Sequence, residues 1–213
     1  MNHSVNIDTV VFDLGGVLID WNPRYLYRQL FDDEQAMEHF LAHICNGEWN
    51  EQQDAGRPWH EAVATLSARH PEHAERIAAY WHRWEETLGD AIEETVRLLA
   101  ALKRRGVRLY ALTNWSGETF PVARRRFAFL AWFEGIVVSG DERLIKPDPQ
   151  IFQRLLSRYA IDPARALYID DAQRNVQAAA ALGMQACWFR DATALRDRLL
   201  ALNLLTAEEV DHG

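Results

Sequence analysis

The chain has 213 residues, of which 48% are hydrophobic, so it can bury the core of one large domain or of a core domain that carries an insertion. Acidic residues outnumber basic residues by 31 to 23, and the formal charge of -8 argues against a nucleic-acid partner because it would repel a polyanionic backbone. Cys45 and Cys187 lie far apart without paired spacing, which argues against a disulfide framework or a structural zinc site.

The N-terminal residues lack the basic head and continuous apolar run of a signal peptide. No apolar segment approaches the roughly 18 to 20 residues that a membrane span needs. We therefore expect a cytoplasmic protein that neither crosses nor binds a membrane.

The first predicted element is a buried strand at Thr9–Phe12, because these residues are apolar or β-branched and run directly into a glycine turn. The turn begins with Asp13, in the sequence Asp-Leu-Gly-Gly-Val. A carboxylate at such a strand end can attack phosphorus, since the backbone amides of the turn face an incoming anion. Asp13 is thus a candidate nucleophile, although an ordinary turn aspartate explains this short motif as well.

The next stretch, residues 21–89, has no strand-like alternation and contains prolines at positions typical of helix starts. Four of the eight tryptophans lie in it, which favours a separately packed helical subdomain. We predict that residues 21–89 form a helical cap and that residues 1–20 and 90–213 form the core. Because the cap follows the Asp13 turn directly, it can cover the crevice beside that residue.

The rest of the chain alternates helices with short apolar strands. A helix at 92–105, which Gly106 would end, precedes a strand at 107–112, and further strands are predicted at 135–138, 166–169 and 185–188. Strands that are apolar throughout indicate a parallel sheet with helices on both faces. The predicted fold class is therefore α/β.

Polar side chains follow several of these strands, at the edge where ligands bind in open parallel sheets. Asp170 and Asp171 are adjacent carboxylates that repel each other unless a cation is present, and their hard oxygens favour Mg²⁺. A helix N-cap is the alternative role for one of them. Thr113 and Asn114 can donate hydrogen bonds to a phosphate oxygen, or they can be ordinary turn residues.

Lys146 lies in a loop before a helix that Asp148 can cap. From this loop it could reach the crevice and offset the charge of a carboxylate and a phosphate. The alternative is a solvated surface lysine, which is the usual environment of this residue type.

The order of these motifs is more specific than any one of them. The motifs are Asp-x-Gly-Gly-Val at 13–17, Leu-Thr-Asn at 112–114, Ile-Lys-Pro at 145–147, and Ile-Asp-Asp at 169–171 followed by Asn175. Together they resemble the four motifs of the haloacid dehalogenase-like hydrolases, over residues 10 to about 182. The resemblance implies a Rossmann-like parallel sheet with a helical cap inserted after the first motif.

The same resemblance implies roles for the site residues. Asp13 would be the catalytic nucleophile and, with Asp171 and the carbonyl of Gly15, a ligand of Mg²⁺. Asp170 would bind the ion directly or through water. The residues that would hold the transferred phosphoryl group are Thr113, Asn114 and Lys146, of which Lys146 would also be catalytic.

One position departs from the family pattern. Most phosphatases of this family have a second aspartate two residues after the nucleophile as general acid and base, and this chain has Gly15 there. The loss of such acid and base catalysis typically lowers the rate by ~10²- to 10⁴-fold. The sequence at 12–17 and 20–24 resembles the α-D-glucose-1-phosphate phosphatase-like branch, which shares this glycine. Asp20 is the next carboxylate along the chain, although a hinge or helix-start role also fits it.

The sequence therefore predicts an enzyme that hydrolyses a small phosphorylated metabolite, and a sugar phosphate is one candidate. Two alternatives are a 2-haloacid dehalogenase and a catalytically weak phosphate-binding regulatory protein. The tandem Asp170 and Asp171 disfavour the dehalogenase, because that reaction needs no Mg²⁺. Neither the substrate nor the oligomeric state is predicted.

Overall fold

The computed structural model describes residues 6–211, so residues 1–5 and 212–213 of the predicted core lie outside the described part. Its main sheet has five strands, all parallel, in the order β5-β4-β1-β6-β7, and β2 and β3 form a separate antiparallel pair. The strands are β1 (Thr9–Phe12), β2 (Ile19–Trp21), β3 (Leu88–Ala91), β4 (Arg108–Thr113), β5 (Gly135–Val138), β6 (Ala166–Asp170) and β7 (Gln185–Trp188).

Helices connect consecutive strands of the main sheet, which confirms the predicted α/β class. Gly106 adopts positive φ just after the helix that it was predicted to end, and Gly183 does so after the helix at Gln173–Ala181. Asp148 caps its helix by accepting from the Gln150 amide at 2.9 Å. The helices are α1 (Arg24–Tyr27), α2 (Glu34–His43), α3 (Gly47–Asp54), α4 (Trp59–Arg69), α5 (Ala74–His82), α6 (Glu93–Arg104), α7 (Phe120–Arg126), α8 (Ser139–Glu142), α9 (Pro149–Arg158), α10 (Gln173–Ala181), α11 (Ala192–Ala201) and α12 (Ala207–Asp211). Within residues 6–211, every helix is too short or too polar to cross a bilayer.

The core has one layer on each face of the main sheet. Along β1, Val10 and Phe12 belong to one apolar cluster and Val11 belongs to the other, as the alternation of side chains along a strand requires. Helices α6 and α11 contribute to the first cluster, and α9 and α10 contribute to the second. Because both faces are covered, the apolar residues of β1, β4 and β6 are buried.

Helices α1 to α5 lie between β2 and β3 and form the helical cap. Aromatic rings fill its interior: the ring centroids of Trp49 and Trp59 are 5.6 Å apart, and those of Trp59 and Tyr80 are 5.5 Å apart. These two tryptophans are therefore core residues of the cap, which agrees with a subdomain that packs on its own aromatic side chains.

The expectation that residues 21–89 contain no strand is wrong at both ends of that range. Trp21 pairs with Leu88 in the antiparallel contact of β2 with β3. Strands of three and four residues are too short to give a visible alternation, and β3 contains Gly89, a residue depleted in strands. The strand pair extends across both predicted domain boundaries, so the boundaries themselves stay a prediction.

Candidate active site

The sheet places Asp13 at the centre of its carboxyl edge. Phe12 is in register with Ala111 on β4 and with Ile169 on β6, and the Asp13 amide donates to the Ile169 carbonyl at 2.8 Å. The two strands that pair with β1, which are β4 and β6, lie on opposite sides of it. In open parallel sheets, a crevice forms at the carboxyl edge where the strand order changes direction in this way. The predicted residues at the ends of β1, β4 and β6 are therefore brought together.

A buried lysine connects two of the predicted carboxylates. The Nζ atom of Lys146 lies 2.9 Å from Asp13 Oδ2 and 2.7 Å from Asp170 Oδ2, and it donates to the Leu112 carbonyl at 3.0 Å. These three acceptors match the three protons of an ammonium group. Lys146 is only 1% exposed, so it is not a solvated surface lysine.

The charges of this group are strongly coupled. Burial raises the pKa of Asp13 to about 7, although Lys146 opposes the rise. Burial also acts against ionisation of Asp170, but Lys146 and the Tyr168 hydroxyl hold the pKa of its carboxyl below the usual range. The pKa of Lys146 is raised despite burial, because both carboxylates stabilise the ammonium form.

The two adjacent aspartates have different environments. Asp170 is fully buried, and its oxygens accept from Lys146, from the Tyr168 hydroxyl at 2.5 Å, from Asn175 and from the Ala172 amide. Asp171 is exposed to the crevice. Partial burial of its carboxyl group and the nearby Asp170 charge raise the pKa of that carboxyl. Asp171 is therefore the more available of the two for a cation.

The carboxylates of Asp13, Asp170 and Asp171 offer oxygen atoms that all lie within 4.8 Å of one another. Such a cluster fits a hard divalent cation, because oxygen donors suit Mg²⁺. The cation would also offset the burial and the mutual repulsion that together raise the pKa values of Asp13 and Asp171. Gly16, with φ of 73°, gives Asp171 its space, since a Cβ at that position would lie 2.4 Å from Asp171 Oδ2. The residues present fit the magnesium ion that the sequence predicts.

We expect the stability gained from Mg²⁺ to grow with pH. The pKa of Asp13 in the folded state is raised to about 7, and that of Asp171 is raised as well. A group with a raised folded-state pKa binds more protons when folded, so the metal-free protein loses stability as the pH rises from about 4 to about 7. Mg²⁺ should reverse this loss and raise the melting temperature by several degrees more at pH 8 than at pH 5.

Thermal unfolding with Mg²⁺ or with a chelator, at both pH values, measures this difference. The variant Asp171→Asn should show little Mg²⁺-dependent shift at either pH. An equal shift for the wild type at pH 5 and pH 8 would contradict the proposed link between the carboxylates and the ion.

The residues at the end of β4 differ in what their side chains do. Thr113 is buried and lines the crevice beside Asp13. The side-chain amide of Asn114 instead pairs with the backbone of Lys146, accepting from its N–H at 2.8 Å and donating to its carbonyl at 3.1 Å. Asn114 therefore positions the lysine loop, and the prediction that it also binds phosphate stays a prediction.

A cavity of about 360 Å³ lies between the core and the cap. From the core, Asp13, Gly15, Thr113, Asn114 and Asp171 line it. Two further core residues, Trp115 and Arg174, also line it, and the cap and its junctions with the core contribute Trp21, Asn50, Glu51, Asp54 and Trp84. The predicted position of the cap over the crevice agrees with this arrangement.

Three contacts hold the cap against the core beside the cavity. An ion pair joins Glu51 on α3 to Arg174 on α10, with 2.5 Å between the nitrogen and the oxygen. Ser139 Oγ donates to the Asp54 carbonyl at 2.5 Å, and Trp59 Nε1 donates to Ser116 Oγ at 3.1 Å. The cavity is therefore bounded by a cap that is docked on the core.

Asp20 does not face this cavity. Its carboxylate accepts from the Tyr25 hydroxyl at 2.5 Å and lines a separate open pocket with Gly89 and Arg126. The sequence suggested Asp20 because it follows Asp13 closely, but sequence distance did not predict which side of the β2–β3 pair it would occupy.

Several cavity residues were not singled out by the sequence. Asn50 and Asp54 lie four residues apart on α3, and their spacing places them on one helix face, but nothing in the sequence shows that this face meets the site. Trp115 directly follows the Leu-Thr-Asn motif, and its position beside a motif residue was the one available signal.

The Asp13 carboxylate directly follows the central strand, and it lies beside a buried lysine and within an acidic cluster beneath a helical cap. This arrangement is suited to nucleophilic catalysis with a metal ion. Comparison with known proteins agrees with this description. A sequence model described as haloacid dehalogenase-like hydrolase matches residues 7–183. The chain belongs to this family of hydrolases.

Individual relatives cover most of the chain. It is 30% identical over 189 residues to a sesquiterpene phosphatase from Aspergillus oryzae, covering 86% of this chain and 90% of that protein. It is 27% identical to the pyrophosphatase PpaX from Bacillus velezensis, covering 81% of this chain and 78% of the relative. Among solved structures, a haloacid dehalogenase family enzyme from Bacteroides thetaiotaomicron, in complex with magnesium and inorganic phosphate, superimposes with a TM-score of 0.65 at 25% identity over 86% of this chain and 94% of that one.

Proposed function

We propose that the protein is a magnesium-dependent phosphatase that hydrolyses a small phosphomonoester through an aspartyl phosphate on Asp13. The observation that carries this proposal is the cluster of Asp13, Asp170 and Asp171 with Lys146 at the centre of the carboxyl edge of the sheet. The phosphatase names of two relatives and the phosphate in the Bacteroides structure support the same reaction.

Asp13 is held ready for attack. Its Oδ1 accepts from the Leu14 amide at 2.7 Å and its Oδ2 lies 2.9 Å from Lys146 Nζ, so the carboxylate orientation is fixed. Attack of a carboxylate oxygen on phosphorus forms the aspartyl phosphate and breaks the bond from phosphorus to the alcohol oxygen. Water then attacks phosphorus, which releases inorganic phosphate and restores the Asp13 carboxylate.

The surrounding groups would stabilise the charge of the transferring phosphoryl group. Asp13, Asp171 and the carbonyl of Gly15 would hold Mg²⁺. Asp170 would act through water or through Lys146, because its own oxygens already accept five hydrogen bonds from four donor groups. The ion would supply positive charge at the phosphoryl oxygens. Thr113 would donate a hydrogen bond to one of those oxygens.

The substrate class that we propose to test first is the sugar phosphates. Among the described residues, Trp115 Nε1 and Asn50 Oδ1 are buried without a hydrogen-bond partner, and both residues line the cavity. Trp21 and Trp84 add aromatic surface on which a ring can stack. A hydroxylated ring would satisfy the unpaired donor and acceptor, which is the reason to prefer it over a purely apolar alcohol.

The dehalogenase alternative has less support. Carbon–halogen displacement by Asp13 would make no use of Asp171, whose exposed carboxylate beside a second buried carboxylate needs a cation to offset its charge. A phosphate-binding protein without turnover would retain the site but release no phosphate.

Phosphate release from a panel of phosphorylated metabolites, with Mg²⁺ and with a chelator, tests the proposal. We expect turnover that a chelator abolishes, and we expect Asp171→Asn to need a much higher Mg²⁺ concentration for the same rate. Turnover that is equal with chelator would contradict the magnesium assignment. Halide release from 2-haloacids without phosphate release from any ester would favour the dehalogenase instead.

A further inference from the structure

The cavity contains a carboxylate that the proposed reaction has not yet used. Asp54 is the last residue of α3 and lines the same cavity as Asp13, Gly15 and Asp171. It approaches from the cap, whereas the other carboxylates at the reacting end belong to the core. Gly15 occupies the position from which a core side chain would otherwise supply protons, so the proposed reaction lacks a proton donor on that side.

The remaining cavity carboxylates have other partners. Among the described residues, the acidic side chains that line the cavity are those of Asp13, Glu51, Asp54 and Asp171. Asp13 is the proposed nucleophile and Asp171 the proposed metal ligand. Glu51 is committed to its ion pair with Arg174 at 2.5 Å. Asp54 has neither of these proposed roles, and among the described residues it has no cationic partner within salt-bridge distance.

The position of Asp54 relative to the core is fixed through its backbone and its neighbour. Ser139, which is fully buried and directly follows β5, donates to the Asp54 carbonyl at 2.5 Å. Two residues further on, Gly56 approaches Gly140 so closely that a Cβ would lie 2.8 Å from the Gly140 carbonyl oxygen. The Asp54 side chain is also held in place: Asn50 Nδ2 donates to Asp54 Oδ2 at 3.1 Å, which orients the carboxyl group.

The surroundings also favour the protonated form of this side chain. Burial raises the pKa of Asp54 to about 7, and the Glu51 charge adds to the rise, while the Ser116 amide and Lys146 oppose it. Such a carboxyl can hold a proton near neutral pH and can also give it up, as a general acid and base must. The other titratable or charged groups that line the cavity or lie near Asp54 are Asp13, Tyr80, Asp171 and Arg174.

We propose that Asp54 is the proton donor and acceptor of the reaction, in place of the family's second aspartate. In the first step, its carboxylic acid protonates the alcohol oxygen as the bond from phosphorus to that oxygen breaks. In the second step, its carboxylate takes a proton from the water whose oxygen attacks the aspartyl phosphate. Asp13 leaves as a carboxylate and Asp54 is protonated again, so the cycle is balanced. This inference rests on the proposed function.

Aryl phosphates of graded leaving-group pKa, together with one alkyl phosphate, test the first step. For Asp54→Asn we expect the rate on the alkyl ester to fall by ~10²- to 10⁴-fold, while the first step on the best aryl leaving group changes little. The wild type should show a shallow dependence on leaving-group pKa and the variant a steep one. Since each ratio of rates is taken on one preparation, partial unfolding of the variant cancels.

Two further variants sharpen the assignment. Asp20→Asn removes a carboxylate that lies outside the cavity and should keep the wild-type dependence. Gly15→Asp, added to Asp54→Asn, should make the dependence shallow again by moving a proton donor to the core. The structure accepts that change, because a Cβ on Gly15 meets no atom within 4 Å.

The second step has its own readout. With an activated aryl phosphate, Asp54→Asn should accumulate the acid-trapped aspartyl phosphate, since the attacking water has lost its base. An unchanged leaving-group dependence and an unchanged level of phosphoenzyme in Asp54→Asn would overturn the inference while leaving the phosphatase intact. Absence of phosphate release and of phosphoenzyme in the wild type would instead overturn the proposed function beneath it.

Discussion

Asp13→Asn is expected to lose turnover by on the order of 10⁴-fold or more, because an amide cannot serve as the attacking oxygen nucleophile. The fold should persist, since an asparagine has the same shape and its Oδ1 can still accept from the Leu14 amide or from Lys146. The variant should also still bind Mg²⁺ and inorganic phosphate, although more weakly. Steady-state phosphate release, acid trapping of the phosphoenzyme and calorimetric phosphate binding measure the three properties.

Asp20→Asn is the matched control for this variant. It makes the same chemical change seven residues along the chain, at a carboxylate whose partner is the Tyr25 hydroxyl. Turnover of the control should equal that of the wild type. A trapped phosphoenzyme in Asp13→Asn, or normal turnover after mass spectrometry has excluded deamidation back to aspartate, would remove Asp13 from the role of nucleophile.

Lys146→Met is expected to lower stability and activity together, and the loss of stability should depend on pH. The lysine is buried between Asp13 and Asp170 and supplies the charge that both carboxylates face. Removal of one partner from a buried ion pair typically costs about 3–5 kcal/mol, because a charge is left without compensation. At pH 5 the loss should be smaller than at pH 8, since protonation of Asp13 removes part of the uncompensated charge.

Urea unfolding at pH 5 and pH 8 measures this difference, and phosphate release at saturating Mg²⁺ measures activity. Lys103→Met is a suitable control, because Lys103 is exposed and, among the described residues, its Nζ forms one hydrogen bond, to the Trp132 carbonyl, and no ion pair. That control should change stability by well under 1 kcal/mol. A Lys146→Met variant with wild-type stability at pH 8 would mean that the carboxylates find another counter-charge.

The parts of the fold that followed from the sequence are those set by local patterns. β1 and β6 are apolar runs that end at charged turns, and Gly106 and Gly183 adopt the positive φ that ends a helix. These features depend on a few consecutive residues. The β2–β3 pair was missed because each strand is short and forms only when Trp21 meets Leu88 from the far side of the cap.

The site residues likewise fall into those that the sequence predicted and those whose positions depend on contacts between distant parts of the chain. Because the carboxyl ends of parallel strands share one edge of the sheet, the sequence was sufficient to predict that Asp13, Asp170 and Asp171 lie close together, and in the structure their carboxylate oxygens lie within 4.8 Å of one another. Asp54 could not be predicted, because its position depends on how α3 docks on the core through Ser139 and through the close approach of Gly56 to Gly140. The pairing of the Asn114 amide with the Lys146 backbone likewise needs the geometry of two loops that are distant in sequence.

The antiparallel contact between Trp21 and Leu88 brings the two ends of the cap side by side, so the core meets residues 22–87 as one very long hairpin loop. The entropy of closing a loop grows only with the logarithm of its length, by about 0.6 kcal/mol for each doubling. The entropy of closing the chain at this point therefore changes little when one insertion is exchanged for another of different size. If the insertion carries the proton donor, however, such an exchange transfers part of the chemistry along with the choice of substrate.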